Sequence, residues 1–251
     1  MTMTHSVAIA AVQMEVTPAP DRLARARRLI EQAAGSGAQL IVLPELFNIG
    51  YRYEDANFQK AEPIDGPTMR WLKQLAARLP VHLAGSLLLR DDGEIYNALL
   101  VVAQGGAARV FGEYLNRQAA WLGAPVVNTV GCGQVRTGVP NARLSMLAMT
   151  PFAPMMLKHV RRAAQAHLTC AMTPGCKVID AQGRTLAERA QAAGEGFALA
   201  KVTLPDRRRQ PIGPQPSRPV SWFTYFSSDV ALPLIAQQTY RRGRHLFQEK
   251  A

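Results

Sequence analysis

A carboxylate placed directly after a buried strand is well positioned to move protons, and Glu45 stands in that position. It follows the apolar run Gln39-Leu40-Ile41-Val42 within Leu43-Pro44-Glu45-Leu46. Such an acid can accept a proton from a nucleophile and later activate water. Where such an acid works in acyl transfer, it does so beside a nucleophile and a group that stabilises an oxyanion. The candidate thiol is Cys132, in Val130-Gly131-Cys132-Gly133, where flanking glycines permit a tight elbow after a strand. The alternative for Cys132 is a small buried core thiol. Cys170 belongs to no motif, and the five histidines show no metal-ligand spacing.

These residues need elements to hold them. Ser6 to Val12 reads as a short buried strand. Pro18-Ala19-Pro20 breaks the chain, Asp21 can cap a helix, and Leu23, Ala26, Ile30 and Ala33 recur at helical spacing before Gly35 and Gly37. The strand 39–43 follows, which makes a βα unit. Pro67 opens a second helix with Trp71, Leu72, Leu75 and Leu79 as its stripe, and Pro80 closes it. Strands are expected at 81–89 and 95–103, joined at Asp92-Gly93, with 107–111 continuing the sheet. Further strands are expected at 124–130, 177–180, 185–188 and 197–204. Residues 155–167 read as a basic amphipathic helix.

Three stretches in order resemble the nitrilase superfamily of carbon–nitrogen hydrolases. They are residues 7–53, with Gln13 and the Leu43-Pro44-Glu45 turn; residues 81–114, with Tyr96-Asn97-Ala98 and Phe111-Gly112-Glu113-Tyr114; and residues 175–204, with Gly175-Cys176-Lys177-Val178 and Glu195-Gly196. The resemblance implies an α/β protein built as a four-layer α-β-β-α sandwich, without cofactor or metal. It implies hydrolysis of a non-peptide carbon–nitrogen bond in a small amide, nitrile or carbamoyl compound by Glu, Lys and Cys. Glu45 matches the general base. At the position of the family lysine this chain has Asn116, followed by Arg117. An amide donates hydrogen bonds but carries no charge, and a guanidinium lacks lysine's geometry. The family's cysteine turn is not found between Tyr114 and Ala124, so an incomplete sheet is expected. Cys176 matches a position where the family usually has a small Ser-like residue. The implied outcomes are an impaired hydrolase, or a scaffold that has lost its chemistry and serves in homo-oligomers.

Composition bounds the rest. The chain has 251 residues, 48% of them hydrophobic, enough for one sizeable core. Residues 1–204 are expected to form the hydrolase-like domain, with 115–174 atypical. Residues 205–251 read as a Pro/Arg-rich linker and an apolar-aromatic tail. Three cysteines without Cys-x-x-Cys spacing, and no long apolar run, suit a reducing, cytoplasmic setting. The net charge of +11 is uneven: residues 1–114 carry 11 basic and 12 acidic groups, residues 115–251 carry 18 and 6. A field of net +12 in the second part fits an anionic membrane surface, or a solvated basic face with no partner. No motif points to a specific nucleic acid.

Overall fold

The computed structural model describes residues 5–52, 55–91, 94–102, 113–139, 141–151, 154–172 and 175–204, and short pieces of the tail at 211, 213–216, 226–231, 234–235, 237 and 240–241. The expected strand at 107–111 and the turn at Asp92-Gly93 lie outside the described residues, as does most of the linker.

Strand β1 (His5–Glu15) is the spine. It is buried on both faces through its middle, which explains why it reads as an unbroken apolar run rather than an alternating one. β11 (Gly196–Leu204) pairs antiparallel along one edge, with Ile9 opposite Ala200. β2 (Leu40–Val42) pairs parallel on the other, followed by β3 (His82–Asp91) and β4 (Glu94–Val102). β6 (Val130–Cys132) also pairs parallel with β1, at Gln13 to Glu15. A second sheet runs β10 (Thr185–Arg189), β9 (Cys176–Ile179), β5 (Val126–Asn128). A ribbon joins β7 (Gln134–Gly138) to β8 (His167–Ala171).

The layers follow from side-chain alternation. Ala10, Val12 and Met14 of β1 pack with Ala26, Leu29, Ile30 and Ala33 of α1 (Arg22–Gly35) and with Leu72 and Leu75 of α2 (Pro67–Arg78). Ile9 and Ala11 face the opposite way and meet Cys176 and Val178 of the second sheet. On the far side of that sheet, Ile179 packs on Leu115 and Ala119 of α3 (Glu113–Leu122). The order is α, β, β, α.

Some elements differ from the sequence expectation. The expected strand 124–130 is split into β5 and β6, which serve different sheets. Residues 154–165 form a 3-10 run rather than an α-helix, after α4 (Ala142–Met149). Prolines at 151 and 154 interrupt the chain there and remove backbone donors. β8 was not expected. Its side chains are mostly exposed, so its sequence carries no buried apolar alternation. In the tail, Tyr240 packs edge-on to Phe58 with ring centroids 5.9 Å apart, and its hydroxyl accepts from Ile95 N at 3.1 Å. That ring is docked on the domain.

Candidate functional site

The site begins where β2 ends. Leu43 N donates to Ala84 O at 2.7 Å, which keeps the chain on β3 for one more residue. Pro44 brings no backbone donor, and the chain then turns away from the sheet. Leu46 adopts a left-handed backbone, φ +49°, a conformation costing a non-glycine residue roughly 1–2 kcal/mol. The turn is held by Leu46 N donating to Ser86 Oγ at 3.0 Å and by Gly50 N donating to Leu46 O at 2.8 Å. Strained turns of this kind concentrate at functional positions.

This turn carries Glu45, half-buried, with two donors on its carboxylate. The Tyr51 hydroxyl donates to Oε2 at 3.3 Å, and the Asn97 side-chain amide donates to Oε1. Tyr51 N in turn donates to Val16 O at 3.0 Å, so the loop returns to the end of β1. Gly50 makes that return possible: its φ is +81°, and a Cβ would stand 2.8 Å from Val16 O. Arg22, the first residue of α1, fastens the same region. It is buried, and its guanidinium donates to Phe47 O, Thr17 O and Glu15 O. Periodicity placed Arg22 off the apolar stripe of α1; the three carbonyl acceptors lie in loops whose approach no sequence pattern signals.

β6 occupies the edge of β1 directly beyond β2. Val16 N donates to Cys132 O at 2.9 Å, and the Thr129 hydroxyl donates to Leu43 O at 3.3 Å. Cys132 therefore does reach the end of the sheet that carries Glu45. Its side chain, however, takes the wrong face. Gly131, opposite Met14, faces Val16 and the Tyr51 ring; a Cβ there would lie 2.0 Å from Val16 Cγ1 and 3.5 Å from Tyr51 Cε2. Cys132, one residue on, faces the other way, opposite Glu15. The thiol is 1% exposed, and burial, aided by the charges of Glu15 and Glu195, pushes its pKa up to about 11. Both causes oppose a thiolate.

Asn116 is held elsewhere. Its amide donates to Gly183 O at 2.8 Å and to Thr185 Oγ1 at 2.9 Å, and its carbonyl accepts from Lys177 Nζ at 2.9 Å. It ties α3 to the β9–β10 turn. Cys176 is buried between the sheets, where burial pushes its thiol up to about 11 as well. Its backbone N–H donates to Gln13 Oε1 at 3.2 Å, while Gln13 Nε2 donates to Gly194 O at 2.7 Å. Gln13 thus closes its own hydrogen bonds as a clamp between β1, β9 and the turn before β11. No group of three metal-ligating side chains occurs among the described residues.

Comparison with known proteins agrees with this architecture. Residues 8–118 match the carbon–nitrogen hydrolase family. The chain is 34% identical over 105 residues to a nitrilase of Pyrococcus abyssi, covering 40% of each, and 36% identical over 106 residues to an omega-amidase of Danio rerio, covering 41% of this chain and 37% of the relative. Thus the matched stretch spans about two fifths of these relatives. A carbon–nitrogen hydrolase from Helicobacter pylori shares the fold at 14% identity, with TM-score 0.54 over 79% of this chain and 89% of that one. The similarity to the carbon–nitrogen hydrolase family is carried by residues 8–118.

Proposed function

We propose that this protein is a nitrilase-superfamily scaffold that keeps the general base, Glu45, and has lost or nearly lost hydrolysis of amide-like small molecules. The observation that carries the reading is the orientation of Cys132: it reaches the correct end of the sheet, yet its thiol is buried on the face opposite the Tyr51 ring that serves Glu45. Asn116, at the position of the family lysine, brings no ammonium and is committed to the β9–β10 turn. An acid without an attacking sulfur or an oxyanion-stabilising cation can activate water only weakly.

The test is ammonia release from a panel of small aliphatic amides by the wild-type protein and by Glu45→Gln. The scaffold reading expects the two to be indistinguishable. Turnover by wild type that Glu45→Gln abolishes would establish the alternative, an active amide hydrolase.

Two further features belong to the same reading. Among the described residues, β11 and β10 are sheet edges, which favours assembly of copies through strand pairing; a monomeric native mass would refute it. The basic second part suits peripheral contact with anionic lipid in a cytoplasmic protein, and no helix among the described residues is long and apolar enough to cross a membrane. Vesicle binding indifferent to acidic lipid content would refute that contact.

A further inference from the structure

We propose that the cleft between the end of β1, the Tyr51-Arg52 loop and the β7–β8 ribbon is a binding site for a small oxyanion, a carboxylate or a phosphate. The cleft has a volume of about 410 Å³ and is lined by Thr17, Pro18, Arg52, Gln134, Arg136 and His167, together with Val135. Its size falls within the range of small-molecule sites, about 300–1,000 Å³.

The ribbon register places three of these lining residues on one face. Arg136 pairs with Thr169 and Gly138 pairs with His167, so Gln134, Arg136 and His167 share one face of the ribbon. Arg136 and His167 are diagonal cross-strand neighbours, a spacing of about 7–8 Å that long side chains bridge. Arg52 lines the same cleft, one residue after the Tyr51 that serves Glu45. The Thr17 hydroxyl donates to Gln134 O at 3.3 Å and fastens the ribbon to the turn after β1. His167 Nδ1 lies 2.8 Å from Gln165 O, which orients the ring.

Arg136 and His167 of the ribbon therefore face one concavity, and no carboxylate is among its described lining residues. The sequence reinforces this. No Asp or Glu occurs between Glu113 and Asp180, the stretch that supplies the whole ribbon. Among the described residues, Glu15 sits at the cleft's rim, where it accepts from Thr17 N at 3.4 Å and Thr17 Oγ1 at 3.1 Å. Guanidinium groups bind carboxylate and phosphate through paired, charge-assisted hydrogen bonds, which favours an oxyanion over a halide. The site needs no catalysis by Glu45 and stands whether or not the scaffold reading holds.

The experiment is isothermal titration calorimetry of the full chain, with inorganic phosphate in one series and succinate in another. A saturable single site for either anion is expected, and the series that saturates more tightly identifies the ligand class. Arg136→Gln is expected to weaken that binding at least tenfold. Arg143→Gln, an equal loss of charge on α4, is expected to change it less than twofold, and matching circular dichroism melts verify that both variants fold. Absence of saturable heat with both anions overturns the site, and so does equal weakening by the two substitutions, which would mean diffuse attraction to a basic surface.

Discussion

The Lys177 ammonium donates to the Asn116 side-chain carbonyl at 2.9 Å. Asn116 thus holds a lysine of β9, while its amide closes the β9–β10 turn through Gly183 and Thr185. This network joins α3 to the second sheet beside the Ile179, Leu115 and Ala119 contact.

Asn116→Ala should therefore act on stability. Three hydrogen bonds go, partly compensated by water, for an expected loss of about 1–3 kcal/mol in urea denaturation. Asn116→Lys should also destabilise, because it places an ammonium beside Lys177, and it should yield no amide turnover. A gain of turnover would show that position 116 does face the site.

Much of this was legible in the sequence, and the gaps have physical causes. β1, α1, β2 and α2 are marked by buried apolar runs, a helical stripe and proline or glycine punctuation, all local signals. The place of Glu45, just after β2, was legible the same way. Its partners Tyr51 and Asn97 stand in recognisable stretches, but Asn97 meets Glu45 across a separation of 52 residues, which no local pattern encodes. The face taken by Cys132 was equally hidden. It depends on the register of a three-residue strand against β1, and a slip of one residue would have turned the thiol over.

The two buried thiols give a pH signature. Cys132 and Cys176 are each pushed from an ordinary value of 9.0 to about 11, chiefly by burial. Below pH 9 both folded and unfolded chains hold these protons. Between about 9 and 11 the unfolded chain loses them first, so stability must fall as pH rises through that window. Urea midpoints measured from pH 8 to 11 should decline, and the decline should be shallower in Cys132→Ala. An identical slope in that variant would mean that Cys132 does not titrate with folding. Alkylation of native Cys132 by iodoacetamide near pH 7.5 should also be slower than in the unfolded chain.

Gly131 is a packing requirement. A methyl group there would meet Val16 Cγ1 at 2.0 Å, so Gly131→Ala should cost about 1–3 kcal/mol by overpacking. Val16 is itself fully buried, and Val16→Ala removes the opposing methyl groups. The double variant should be more stable than the sum of the two single losses implies, by at least about 0.5 kcal/mol in a double-mutant cycle. Strict additivity would contradict the contact.

The account turns on a base that has no sulfur to serve. Intact-mass spectrometry of the native protein, quenched in acid after incubation with activated acyl amides near neutral pH, reads that relationship most directly, because a working thiol would carry the acyl group. The account predicts an unmodified mass for wild type and for Glu45→Gln alike. An acyl adduct on Cys132 in wild type that disappears in Glu45→Gln would contradict it.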